Sequence, residues 1–137
     1  MIVQPYLMYE GRADEAIAFY KMALGAEQGM LMRYKDNPDA AAPGCAPLDG
    51  NKIMHAQITI GETIIMLSDG RCSGKTNFDG FSLSITVATE AEADKKFNGL
   101  VNGGTVTMPL TKTFFTPKFG MLQDKFGVHW MIMVNPK

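Results

Sequence analysis

Only two histidines and two cysteines occur in the 137 residues. Two histidines exclude a histidine-rich metal centre by arithmetic, because such sites draw three or four protein ligands. The cysteines, Cys45 and Cys72, lack the CxxC spacing, and the N-terminus has no basic stretch followed by an apolar one. Without a secretory signal, both are expected to be free thiols in a reducing compartment, which places the protein in the cytoplasm. Long apolar runs are also missing. Ile64-Ile65-Met66-Leu67 is typical, far below the roughly 20 residues that span a bilayer. Thirteen basic against fourteen acidic residues give a net charge of −1. That balance builds no field for nucleic acid or anionic lipid, so neither is an expected partner. The sequence has no GxGxxG, no GxxxxGK[ST] and no GxSxG. Familiar dinucleotide sites, P-loops and hydrolase elbows are therefore not expected, and no cofactor is assigned. Gly74-Lys75-Thr76 has the tail of a P-loop without its upstream glycine.

What is present suits a folded domain. The chain is 46% apolar and 20% charged, and its length fits one domain with a substantial core. Eleven methionines are many for this length. Their flexible side chains suit a core or a tolerant pocket, and core packing is the expectation for any one of them. Residues 3–9 read as a strand and 14–23 as a helix, with Ala13, Ala16, Ile17, Phe19, Tyr20 and Leu24 at helical spacing and Gly25 as the stop. Strands follow at 30–34, 52–60 and 63–68, the last two joined by Gly61-Glu62. Residues 35–51 form the longest irregular stretch, a candidate cover for a site. The second half repeats the order. It shows a strand at 81–87 and a helix at 90–101, carrying Ala91, Asp94, Phe97 and Leu100. Strands follow at 105–108, 119–123 and 128–134.

Phe19 and Gly25 are six residues apart, as are Phe97 and Gly103, and the pairs are offset by 78 residues. At that offset Leu7 falls on Ile85 and Asp14 on Glu92. The fold class expected is α+β: two βαβββ modules, 1–69 and 80–137, in a single domain, with curved mixed sheets around a cleft. Alternation assigns the faces. On 53–60, Met54, Ala56, Ile58 and Ile60 should face the core, leaving Ile53, His55, Gln57 and Thr59 opposite. On 81–87, Phe81, Leu83, Ile85 and Val87 should be buried, leaving Ser82, Ser84 and Thr86. On the last strand, Val128, Trp130, Ile132 and Val134 make the core face, and His129, Met131 and Met133 point the other way. The candidate ligand-binding residues are His55, Gln57, Thr59, Ser82, Ser84, His129 and Met131.

Several stretches resemble the PhnB-like proteins. They are Gln4-Pro5-Tyr6-Leu7, Glu15 through Tyr20, Ala23 through Glu27, His55-Ala56, Leu67-Ser68-Asp69, Thr113-Phe114-Phe115, Phe119-Gly120, and Asp124 through Trp130. The resemblance covers nearly the whole chain. It implies the vicinal oxygen chelate superfamily of glyoxalase I, extradiol dioxygenases and bleomycin resistance proteins, built from paired βαβββ modules. It also implies a homodimer with sites shaped by both subunits. That superfamily holds a divalent metal between a His of a module's first strand and a Glu of its last. The matching positions here fall near Pro5, near Ser82 and on Met131, none of them a good ligand for a hard or borderline ion, so no metal is assigned. A site of His55, His129 and Asp69 is the conceivable exception. The family sometimes carries a methyltransferase label, but Gly103-Gly104 follows a helix and reads as a cap, not a cofactor turn. Lys118 and Phe115 are candidates for one rim. The leading expectation is a binder of a small molecule in a cleft. The alternatives are a metal-dependent enzyme of glyoxalase or lyase type, and a metal-free enzyme with His55 as base.

Overall fold

The computed structural model describes residues 1–37, 45 and 50–136. The chain divides into two units, Met1–Thr76 and Asn77–Lys137. The first runs β1 (Tyr6–Met8), α1 (Ala13–Leu24), β2 (Glu27–Arg33), β3 (Ile53–Ile60) and β4 (Thr63–Ser68). The second runs β5 (Leu83–Val87), α2 (Glu90–Val101), β6 (Thr105–Thr111), β7 (Phe119–Gln123) and β8 (His129–Val134). Each unit forms one four-stranded mixed sheet, ordered β1-β4-β3-β2 and β5-β8-β7-β6. The first strand of each pairs parallel with the last, and the remaining pairs are antiparallel. This is the α+β class and the repeated order that the sequence implies. No helix among the described residues is long and apolar enough to cross a membrane.

The helices form where their apolar stripes can be buried. In α1, Ala13, Ala16, Ile17, Tyr20 and Leu24 are buried, and Gly25 closes the helix at φ 68, a left-handed angle that glycine adopts without steric cost. In α2, Thr89 caps the first turn by accepting from the Glu92 N–H, and Ala93, Phe97 and Leu100 are buried. The inward position is Ala93 rather than Ala91, which is exposed. Asn102 is the C-cap of α2, Gly103 follows at φ 80, and the Gly104 N–H donates to the Val101 carbonyl. A Cβ on Gly104 would collide with the Gln123 carbonyl, so the chain leaves α2 pressed against β7.

Sheet faces follow alternation in outline, although Ile60, Leu83 and Ile85, expected in the core, are only half-buried. On β8, Trp130, Ile132 and Val134 are buried together with Val128, while His129, Met131 and Met133 are half-buried. On β3, Ala56 and Ile58 are buried as expected, but so is Ile53, at 0% exposure. The cause is a bulge: Met32 pairs with His55 and Arg33 with Ile53, leaving Met54 as the extra residue. An extra residue shifts every side chain before it to the other face. Phe81 lies ahead of β5 and is 42% exposed, so it does not join the core. Strand β6 runs on to Thr111 through Pro109, which an edge strand tolerates because one side of its ladder is unpaired.

Two expectations need correction. Cys45 and Cys72 are bonded to each other, with their Cα atoms 5.3 Å apart, within the bridgeable range. The sequence argument weighed compartment signals, whereas proximity was set by the turn after β4. There the Cys72 N–H donates to the Asp69 carbonyl and Cys72 itself takes φ 55. The methionines are the second correction: none of the eleven belongs to the buried core. The core is instead filled by Leu, Ile, Val, Ala, Tyr, Phe and Trp130. Most of the irregular stretch 35–51 lies outside the described residues. Its ends are joined by bonds from the Lys35 N–H to the Gly50 carbonyl and from Lys35 Nζ to Asn51 Oδ1.

Candidate functional site

Each sheet has one face away from its helix, and directly opposed residues share a face. In the first unit, Gln57 on β3 pairs with Met66 on β4, which pairs with Tyr6 on β1. Thr59 pairs with Ile64 and His55 with Met32. His55, Gln57 and Thr59 therefore stand along one open face, half-buried among thioethers. Tyr6 hydroxyl lies 3.0 Å from His55 Nδ1, with ring centroids 5.5 Å apart. That bond fixes the ring and directs Nε2 outward, where among the described residues it makes no hydrogen bond. A histidine so held can donate to, or accept from, an oxygen of a ligand depending on its tautomer.

In the second unit, Ser84 on β5 pairs with Met131 on β8, Met131 with Met121 on β7, and Met121 with Met108 on β6. His129 pairs with Gln123, and His129 Nε2 lies 3.4 Å from Asp79 Oδ1. Ser82 is exposed just ahead of β5, so it adjoins this row without being part of the ladder. The expected residues thus fall into two sets. His55, Gln57 and Thr59 lie on one sheet, and Ser84, His129 and Met131 on the other. The sequence reading missed Tyr6, Met66, Met108 and Met121. Alternation along 119–123 would have singled out Met121, but Tyr6 and Met66 needed the β1–β4 register. Lys118, proposed for a rim, instead makes a 2.6 Å ion pair with Asp94 of α2.

The residues do not fit a divalent metal. Asp69 is fully buried, and its two carboxylate oxygens accept from the Ala13 and Ile53 N–H groups at 2.7 and 2.6 Å. It joins α1 to β3 and has no oxygen turned toward His55. The Pro5 carbonyl accepts from the Met66 N–H, Ser82 is an exposed hydroxyl, and Met131 offers only a thioether. Among the described residues no three His, Cys, Asp or Glu side chains cluster to hold an ion.

One charged neighbourhood supports the frame of the first unit. Arg33 makes a bidentate pair with Asp14 at 2.8 and 3.0 Å. The guanidinium's hydrogen bonds hold the Asp14 carboxyl below its ordinary range and raise the Arg33 pKa in turn. Burial pushes the Glu10 carboxyl up, but bonds from Ser73 and Arg71 outweigh it and the net direction is down.

Comparison with known proteins agrees with this architecture. Residues 2–133 match the family model described as 3-demethylubiquinone-9 3-methyltransferase. Protein YjdN of Escherichia coli (strain K12) is 34% identical over 140 residues, 98% of this chain and 95% of that protein. The structure described as a putative 3-demethylubiquinone-9 3-methyltransferase, PhnB protein, from Bacillus cereus is 32% identical. It superposes with a TM-score of 0.80 over 98% of this chain and all of that one. A glyoxylase/bleomycin resistance protein/dioxygenase domain from Frankia sp. shares 16% identity and a TM-score of 0.67, over 98% and 97% of the two chains. At that identity the likeness concerns the fold alone. With its repeated strand–helix–three-strand units, the chain belongs to the 3-demethylubiquinone-9 3-methyltransferase family of PhnB-like proteins, built on the glyoxalase/bleomycin resistance fold.

Proposed function

We propose that the protein binds a small, largely apolar molecule on the open face of a sheet, as a homodimer and without a bound divalent ion. One observation carries the reading: the core contains no methionine, and Met32, Met66, Met108, Met121, Met131 and Met133 are half-buried on or beside the open faces. Thioethers are polarisable and reshape readily, which suits a face that must meet a ligand rather than pack permanently. Each face has a few polar groups to orient such a ligand, Gln57 and Thr59 in the first unit and Ser84 and His129 in the second. The methyltransferase of the family description is not the activity proposed. The connections from β1 to α1 and from β5 to α2 are short, the second being Ala88-Thr89, and neither is the glycine-rich turn of a common cofactor site. A second reading has one observation in its favour. The Tyr6–His55 bond would let His55 act as a general base toward a bound substrate.

The test is fluorescence titration with 1-anilinonaphthalene-8-sulfonate, with near-UV circular dichroism to confirm native packing. Met66→Ala and Met131→Ala each remove a side chain whose burial is worth about 1.5–3 kcal/mol at most, so probe affinity is expected to fall roughly five- to thirtyfold. Unchanged affinity in both variants would sink the binding reading. So would stoichiometric uptake of Zn, Ni, Mn or Fe(II) in native mass spectrometry, which would make a metal enzyme the better account. The same spectra report whether the chain is a dimer.

A further inference from the structure

Apolar binding alone does not call for sulfur, and the second unit concentrates it. Met121 and Met131 are direct partners on β7 and β8, so their Cβ atoms stand about 5 Å apart, and Met108 of β6 pairs with Met121 where the register shifts on either side. Two thioethers at that spacing can meet on one ion. Met133 and His129 flank Met131 on the same face of β8. The three strands carry no acidic residue, so the row offers none of the carboxylates that hard cations favour. The imidazole is also arranged as a ligand's would be. His129 Nε2 faces Asp79 Oδ1 at 3.4 Å, and among the described residues Nδ1 makes no hydrogen bond. A ring nitrogen donating to a carboxylate leaves the other nitrogen's lone pair available for a metal, the usual outer arrangement of ligating histidines.

We infer that Met121 and Met131, with Met108, Met133 and His129 beside them, form a binding site for a soft monovalent cation, Cu(I) or its chemical analogue Ag(I). Thioether and imidazole donors select Cu(I) over the divalent ions that Pro5, Ser82 and Met131 fail to hold. The site lies within one unit and does not depend on the apolar-ligand reading.

The experiment is anaerobic competition for Cu(I) against bicinchoninate in ascorbate, on the full-length protein, with native mass spectrometry in Ag(I) as a second readout. One ion per chain is expected, with no Zn(II) or Ni(II) retained. Met121→Leu/Met131→Leu keeps apolar volume and removes both central sulfurs. It is expected to lower Cu(I) affinity about tenfold or more, with the near-UV circular dichroism unchanged. Should that double variant fold poorly, Met131→Leu alone serves, with a smaller loss in the same direction. Cu(I) retention unchanged by the leucines, or no retention against the chelator, overturns the proposal. Loss of Cu(I) in Cys45→Ala/Cys72→Ala instead would overturn it too, because the sulfur donors would then be cysteines.

Discussion

The units Met1–Thr76 and Asn77–Lys137 share a topology strand for strand, yet they are tied together by different means. Among the described residues, each contains one buried aspartate whose carboxylate satisfies backbone donors. In the first unit Asp69 reaches Ala13 and Ile53, 56 and 16 residues away in sequence. In the second, Asp124 accepts from the Phe126 and Val128 N–H groups and from the Trp130 indole, two to six residues away. The first unit adds the Cys45–Cys72 bond, while the second contains no cysteine. Shared topology therefore follows from what the two sequences have in common, namely alternating strands and one apolar helix stripe. The ties are particular to each unit. Where a long connection separates β2 from β3, the first unit holds its parts by distant bonds. The second has shorter connections and a turn fixed by Asp124.

Replacing each aspartate by alanine gives the largest contrast. Either change strands buried donors at about 1–3 kcal/mol apiece, so both should lower the urea midpoint clearly. They should differ in where the damage spreads. Asp69→Ala is expected to raise hydrogen exchange at Ala13 and Ile53 together, and Asp124→Ala only at and around residues 126–130. Exchange that spread equally far in both variants would erase the distinction between a distant and a local tie.

Removing the disulfide sharpens the same point with a smaller effect. Its cysteines are 27 residues apart, and closing a loop of that size contributes about 3–4 kcal/mol on the chain-entropy account. Cys45→Ala/Cys72→Ala should destabilise by up to that amount, with faster exchange confined to the first unit. Equal acceleration in the second unit would mean that the two unfold as one body.

Much of this frame was legible in the sequence, because period-two and helical spacing report burial directly. The helix 90–101, the strands 63–68 and 119–123, and the buried row Val128, Trp130, Ile132 and Val134 were readable without coordinates. Ile53 was not, since a bulge at Met54 depends on how β2 pairs with β3. Nor were most of the methionines, although alternation put Met131 and Met133 opposite the core. Hydropathy does not distinguish a methionine that fills a core from one that lines an open face, and here Met121 and Leu122 are sequence neighbours with opposite fates. At the candidate site, alternation put His55, Gln57 and Thr59 on one side of a strand. The Tyr6–His55 bond joins residues 49 apart, and only the parallel β1–β4 pairing could bring them together.

The smallest contrast concerns the ion pairs that tether each helix. Arg33–Asp14 tethers α1, and Lys118–Asp94 tethers α2. The Asp14 side chain is 57% exposed, so solvent screens the pair. With the favourable place of an acid in the first helical turn, it contributes up to about 1 kcal/mol. Its pH signature has a definite sign. Arg33 holds the folded Asp14 pKa below its unfolded value, so the contribution is present above the ordinary aspartate range. It is lost as pH falls through the depressed folded value. Asp14→Asn should therefore lower the urea midpoint slightly at pH 7, and the gap to the unaltered protein should close in strong acid. The Arg33 pKa, raised above an already high value, titrates outside the folded range and adds no second window. A gap that persisted in strong acid would mean that Asp14 stabilises α1 by hydrogen bonding independent of its charge. The two helices would then be tethered by different chemistry as well as by different partners.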